Sequence, residues 1–380
     1  MGTAVCPKRG IIGPGRPRGG MDDWLIDDNT VPLARRSVLP GEGFFVPNSI
    51  DDAEAEREAR EALVGADRVV VADPDADGLA CVALLRVALG EAALLPAGPH
   101  EIADALEYVL EFGESGPEVY VCDLCPDSEA DVEPLPAVAR QAKAVRWFDH
   151  HQWDEALAST VADHAELVVG ESDEECTADV TLRTLAHEFD DRYAELATVT
   201  RDHDLWLRED PRSDDLADYA HWADPEEYIE TVLEHGADLP ADVEAFLEER
   251  RVEKEALVEQ AVDRAEYRAV GEWTVGVTYG RCSQNEVAEA MRNEGADASV
   301  VVKPAGSASI RGTDAFERCH EVAGRVNGGG HPKAAGCKPD IYDDMLDYAH
   351  HWTTRGAVTK QVILDAFRSL VADDAERADA

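Results

Sequence analysis

From residue 55 onward, short apolar runs alternate with longer stretches of helical period. Residues 51–65 read as a charged helix. Residues 68–72 (RVVVA) read as a buried strand, followed at once by a loop and an apolar helix over 79–89. Further strand-like runs fall at 92–96, 118–122, 143–148 and 165–169, with helical or polar material between them. Runs that are apolar throughout suit strands covered on both faces, so this order predicts an α/β fold with a mostly parallel sheet. Residues 181–197 read as one helix leading into a polar stretch at 200–206. An acidic stretch, 207–269, reads as a helical linker, with one long charged helix over 241–268. A smaller α/β unit follows, with a strand at 272–278, a helix at 284–294, strands at 298–303 and 306–311, and a helix at 314–324. The expected domains are an N-terminal segment 21–54, a first α/β domain 55–206, the linker, a second domain 270–345, and a C-terminal helix with acidic tail 346–380.

Composition changes this picture in one respect. The chain has 380 residues, 80 acidic and 35 basic, for a formal charge of −45. With 44% hydrophobic residues it has material for real cores, which excludes a wholly disordered acidic chain. Only seven of the bases are Lys, and the acids are spread along the whole length. Such a surface looks like that of a protein from an extreme halophile, because high salt screens the self-repulsion that would otherwise destabilise it. The charge also excludes a basic nucleic-acid-coating protein or a polybasic membrane anchor. Residues 1–20 differ: they are Gly/Pro-rich and carry Lys8, Arg9, Arg16 and Arg18 with no acid. They read as a flexible tail, or as a stretch preceding a true start at Met21. The eight Cys are too sparse for a disulfide scaffold and several lie in apolar runs, which suits reduced cytoplasmic thiols. Cys122 and Cys125 form a lone CxxC with no second pair to complete a zinc site. No apolar stretch reaches membrane-spanning length.

Chemistry enters at the strand ends. Asp73, Asp75 and Asp77, at spacing two, follow the strand at 68–72, and Gly78 lets the chain turn into the next helix. Asp123 follows the run 118–122, and Asp149, His150 and His151 end the run 143–148. A fourth cluster, Asp202, His203 and Asp204, follows a predicted helix. In open α/β sheets ligands bind beyond the carboxyl ends of the strands. Carboxylates crowded there repel one another unless a cation sits between them, and carboxylates with imidazoles suit Mn²⁺ or Mg²⁺. A two-ion site lowers the pKa of a water and clamps phosphate oxygens, so phosphoester hydrolysis is the expected chemistry. In the second domain Gly328, Gly329, Gly330 and His331 follow a helix and would bring backbone N–H groups close to a phosphate, with Arg311 as a bidentate donor. Asn285 and Ser307 are weaker candidates there. Trp147 and Trp206 read as core or rim residues before they read as base-stacking platforms.

The ordered set Asp75-x-Asp77, Asp123, Asp149-His150-His151 and Asp202 resembles the motifs of the DHH phosphoesterase superfamily, and Gly328–His331 resembles the glycine-rich motif of its DHHA1 domain. The resemblance covers roughly residues 65–345 and looks most like the RecJ-like exonuclease and oligonucleotide phosphodiesterase branches. It implies two Mn²⁺ ions in a cleft between the domains. Carried over, Asp75 binds one ion and Asp77 the other, Asp123 bridges them, and His150 and Asp202 complete the second ion's shell. Asp202 is preferred to Asp204 by its spacing to the preceding apolar run. Asp149 supports the imidazoles, and His151 orients a substrate phosphate or assists leaving-group protonation. One position departs from the pattern: the family's His four residues before Asp75 is Val71 here, so Asp73 or water would take its place.

The expected function is a metal-dependent phosphodiesterase on single-stranded DNA or RNA or short oligonucleotides. The absence of a further β-barrel domain after residue 345 favours short substrates. The alternatives are a phosphoesterase for cyclic dinucleotides or phosphoadenosine nucleotides, and a non-catalytic scaffold for nucleic acid or for replication or repair proteins.

Overall fold

The computed structural model describes residues 48–113, 116–342 and 345–379. The tail at 1–20, the start at Met21 and the N-terminal segment up to residue 47 lie outside these. The described chain forms two compact units divided between Val252 and Glu253.

The first unit is a doubly covered parallel sheet. After α1 (Asn48–Leu63), β1 (Arg68–Ala72), α2 (Ala76–Leu89), β2 (Ala93–Pro96), α3 (Ile102–Phe112), β3 (Glu118–Cys122), α4 (Leu135–Gln141), β4 (Ala144–Asp149), α5 (Glu155–Ala162) and β5 (Glu166–Val169) follow in order. The sheet order is β2-β1-β3-β4-β5, all parallel. Alternation along each strand splits the core in two. Val70, Ala72, Tyr120, Cys122 and Phe148 face one layer of helices, while Val69, Val71, Val119, Val121 and Trp147 face the other. Both faces are apolar, which explains why these strands read as unbroken runs.

The predicted helix at 181–197 is two helices, α6 (Thr177–Thr184) and α7 (Asp191–Asp204). Leu182, Leu185 and Phe189 all pack against the first core, so their helical spacing runs across the break and hides it. Leu185 has extended backbone, and Asp190, also extended, starts α7. The polar stretch read at 200–206 is mostly the last turn of α7.

Next come α8 (Arg212–Trp222) and α9 (Pro225–His235), in the stretch read as linker. They send Leu216, Tyr219, Ala220, Tyr228, Ile229 and Val232 into the first core. Arg86 on α2 grips Glu226 on α9 through two bonds of 2.6 and 2.8 Å. The acidic exposed faces mask the apolar stripe in this stretch. The long helix α10 (Ala241–Asp263) crosses the division, with Leu247 in the first core and Ala261 in a cluster of the second unit.

The second unit holds β6 (Glu266–Val270), β7 (Trp273–Tyr279), α11 (Gln284–Asn293), β8 (Ala298–Val302), β9 (Ala308–Gly312), α12 (Cys319–Gly324), β10 (Gly328–Gly330), β11 (Ala334–Cys337), α13 (Met345–Thr354) and α14 (Ala357–Asp379). Its sheet order is β10-β11-β9-β8-β7-β6, mixed, with β7 and β8 parallel. β6, hidden in the charged pattern read as helix to 268, is exposed along most of its length, so it carries no apolar signature. Ile363, Leu364, Phe367 and Leu370 bring α14 into this core. Among the described residues no helix is long and apolar enough to cross a membrane.

Candidate metal centre

Beyond the carboxyl ends of β1, β3 and β4 the chain gathers Asp75, Asp77, Asp123, Asp149, His150 and His151, joined by Asp204 from the end of α7. Two helix N-termini are turned onto this cluster. Asp75 caps α2: its Oδ1 accepts from the backbone N–H groups of Asp77 at 2.9 Å and Gly78 at 3.0 Å. The loop closes so tightly that a Cβ on Gly78 would lie 2.2 Å from the Asp73 carbonyl oxygen. Asp77 in turn accepts from the first turn of α6, from Thr177 N–H at 2.6 Å and Ala178 N–H at 2.8 Å. Partial positive charge at those termini offsets the repulsion among the carboxylates.

Asp123 is held in the left-handed region, at φ 60°, one residue past β3. Asp is among the few residue types that tolerate this conformation, and such strain concentrates at functional sites. Its Oδ1 accepts from the Thr177 hydroxyl at 2.8 Å and lies 3.8 Å from both His150 Nε2 and His151 Nδ1.

Asp149, fully buried at the end of β4, organises the two imidazoles. It accepts from His150 N–H at 2.9 Å, from Trp153 Nε1 at 2.7 Å and from His151 Nδ1 at 2.8 Å. Burial alone would raise this carboxyl, but the hydrogen bonds and the His151 charge hold it below its usual range. Burial opposes charge on His151 as well, yet the bond to Asp149 prevails and pushes the imidazole up to about 9.

The remaining carboxylates move the other way. Burial, then Asp77 and Asp75, raises Asp123 and Asp204 well above the usual range. Burial followed by Asp75 does the same for Asp73, and burial followed by Asp77 raises Asp75.

Whether these residues fit a metal is decided by two atoms. His150 Nε2 and Asp204 Oδ2 are buried and lie 3.2 Å apart, and neither makes a hydrogen bond. They face each other as an ion pair with no hydrogen bond to a further group, a costly arrangement for buried polar atoms. One ligand atom each from Asp77, His150 and Asp204 lies within 4.8 Å of the others, as does one each from Asp123, His150 and His151. Carboxylate oxygens with one imidazole are a donor set for a hard or borderline divalent cation, so the residues fit.

Of the two carboxylates near the end of α7, Asp204 and not the expected Asp202 lies in a ligand group with Asp77 and His150. Asp202 is buried but turned away from the cluster. Its carboxylate accepts from Glu209 N–H, Asp210 N–H and the Ser213 hydroxyl at 2.9, 3.2 and 2.7 Å. It thereby secures the loop after α7, where Trp206 and Arg208 both have positive φ. On the continuous helix α7 a two-residue step turns the side chain through about 200°, so only one of the two can face the site. Val71 is fully buried in the second apolar layer and offers no ligand. Asp73 is partly buried beside Asp75 but belongs to neither ligand group.

Thr177 and Trp153 were not singled out from sequence. The only signal was position, since Thr177 opens a helix shortly after β5 and Trp153 lies four residues beyond Asp149. Trp147 is a core residue, with its Nε1 bonded to the Leu124 carbonyl at 2.8 Å. Trp206 is packed between His203 and Arg208.

In the second unit Gly328–Gly330 form the edge strand β10. A Cβ on Gly328 would meet the Gly336 carbonyl at 2.2 Å, and Gly330 has φ 131°, so the hairpin itself requires these two glycines. Gly329 faces open space. His331 N–H donates to the Ala334 carbonyl at 2.6 Å, and Ala334 pairs with Arg311 across β11 and β9, so His331 and Arg311 share one end of the sheet. Arg311 donates to Asn285 Oδ1 at 3.0 Å, and among the described residues no carboxylate pairs with it. Ser307 lies in the turn before β9, at the other end of that strand from Arg311, and is not brought to this group.

No family model matches the chain, and no curated protein matches it at significance. Solved structures do. Exonuclease RecJ bound to manganese aligns at 17% identity and TM-score 0.51, covering 87% of this chain and 96% of that one. RecJ in complex with Mn²⁺ from Thermus thermophilus aligns at 17% and 0.52, covering 90% and 56%. The DHH domain of a member of a ribosomal-protein family aligns at 13% and 0.52, covering 84% and 89%. At such identities the likeness is one of fold: the chain has a DHH/DHHA1-like two-unit α/β fold, with an Asp/His cluster suited to metal at the strand ends of its first unit.

Proposed function

We propose that the protein is a metal-dependent phosphodiesterase acting on single-stranded nucleic acid or short oligonucleotides. The observation that carries this reading is that His150 Nε2 and Asp204 Oδ2, buried and without hydrogen bonds, face each other in a group in which Asp77, His150 and Asp204 each place a ligand atom within 4.8 Å of the others. Asp77, Asp123, His150 and Asp204 would hold one Mn²⁺ or Mg²⁺. Asp75, with Asp73 in place of the missing imidazole, would hold a second and weaker ion. When bound, such ions lower the pKa of a water and neutralise charge on phosphate oxygens. The protein's own contribution is orientation. Asp149 holds His151 through Nδ1–H and keeps the ring protonated, so that its Nε2–H would donate to a phosphate or leaving-group oxygen. In the second unit Arg311, held by Asn285 and matched by no carboxylate among the described residues, suits a phosphate, beside His331 and the Gly328–Gly330 edge.

The test uses purified protein in high salt with Mn²⁺ and labelled DNA and RNA from dinucleotides to 20-mers. Mononucleotide release that is lost in Asp123→Ala and His150→Ala supports the reading. Oligonucleotide binding without hydrolysis of any substrate overturns it. That result would favour a non-catalytic scaffold, the reading that Val71 supports by removing one ligand. The same length series separates a short-oligonucleotide enzyme from a processive exonuclease.

A further inference from the structure

Thr177 contacts two of the candidate metal-ligating carboxylates. Its backbone N–H donates to Asp77 Oδ2 at 2.6 Å, and its hydroxyl donates to Asp123 Oδ1 at 2.8 Å. The side chain is fully buried. Asp77 comes from the start of α2 and Asp123 from the end of β3, so Thr177 ties together two carboxylates 46 residues apart in sequence.

The hydroxyl has little other reason to be there. The start of α6 is capped without it, since the Asp179 carboxylate accepts from Cys176 N–H at 3.2 Å. The neighbouring side chains of Cys176 and Ala178 belong to the apolar core, where a valine-like side chain would pack as well. Asp123, in contrast, takes this bond on the oxygen nearest the imidazoles. Its backbone is strained at φ 60°, and one of its two oxygens faces both imidazoles. A carboxylate that accepts one firm hydrogen bond on a chosen oxygen can no longer rotate freely, and its remaining lone pairs point in fixed directions.

We propose that Thr177 is a positioning residue of the metal centre, whose hydroxyl sets the rotamer of Asp123 while its backbone sets that of Asp77. The proposal rests on the metal reading above and assigns Thr177 no contact with substrate. Thr177→Val keeps the backbone bond to Asp77 and removes only the bond to Asp123. Thr177→Ser keeps both.

The experiment is calorimetric titration of the full chain with Mn²⁺, alongside thermal unfolding of each variant in the absence of metal. Thr177→Val is expected to weaken Mn²⁺ binding by about 10- to 100-fold, the usual effect of losing a ligand-orienting partner. Thr177→Ser is expected to restore wild-type affinity. In an Asp123→Asn background the Val substitution should add little, because the two groups act as one unit. Should Thr177→Val not fold, Thr177→Ala against Thr177→Ser gives the same comparison. Wild-type affinity in folded Thr177→Val, or equal weakening in the Ser and Val variants, overturns the proposal. Failure of the wild-type protein to bind Mn²⁺ would instead sink the metal reading, and this proposal with it.

Discussion

At the scale of single residues, Asp202 and Asp204 carry the sharpest contrast. Both are acidic and both lie near the end of one helix, but one closes a loop and the other faces His150. Asp204→Asn is expected to reduce Mn²⁺ binding and any Mn²⁺-dependent hydrolysis at least tenfold, with little change in unfolding. Asp202→Asn is expected to cost about 1–3 kcal/mol of stability, read by denaturant titration, because its buried acceptors serve three donors. The reverse pattern would restore the assignment made from spacing. That Asp75, Asp77, Asp123, Asp149 and His150 gather beyond one edge of the sheet was legible in the sequence, because residues at the ends of apolar strands in a parallel sheet share that edge. Asp204 was not legible in the same way, since the choice depended on where α7 ends and which way its last turn faces. Thr177 was invisible for another reason. Its role lies in a hydrogen bond to a residue 54 positions away, and no local pattern encodes that.

Among the elements, helices were legible where their apolar stripe is plain and strands where both faces are covered. The strand β6 failed on the second count, while α8 and α9 fall in the stretch read as a helical linker, and acidic exposed faces hid the stripe that packs them into the first core. The terminal helix α14 is part of the second core, although the sequence suggested a helix with a frayed acidic end. Phe367→Ala is therefore expected to destabilise the second unit by about 3–5 kcal/mol in a denaturant melt, with Mn²⁺ binding to the first unit unchanged. His351 on α13 supplies a pH dependence for the same unit. It is buried, and its ring nitrogens meet the Tyr342 hydroxyl and the Lys303 carbonyl, each at 2.8 Å. Burial, reinforced by Lys360, holds the imidazole below its ordinary value. The unfolded chain therefore binds the proton more readily. The stabilisation is full above about pH 6.5 and is lost as pH falls toward the lowered value. Wild-type protein should lose stability as pH falls below about 6.5 more steeply than His351→Gln, and parallel curves would contradict this.

For the whole molecule the governing quantity is the charge of −45. The many ion pairs on the surface offset little of it, since exposed pairs contribute about 0–1 kcal/mol each. Screening does more, as the Debye length falls from about 10 Å at 0.1 M to about 3 Å at 1 M. The unfolding temperature should rise steadily with KCl over that range, and a flat or falling curve would show that self-repulsion is not what limits this fold. The same screening weakens non-specific attraction to a nucleic-acid backbone, which leaves affinity to the few groups that touch the ligand. Within this acidic body, the two helix N-termini directed at Asp75 and Asp77 have a consequence of their own. Four backbone N–H groups already hold those carboxylates in place, so the centre is a socket rather than a staple. A zinc finger collapses when its ion is stripped. This site should be emptied and refilled without disturbing the sheet around it, and a chelator that abolishes Mn²⁺-dependent chemistry should leave the circular dichroism spectrum as it was.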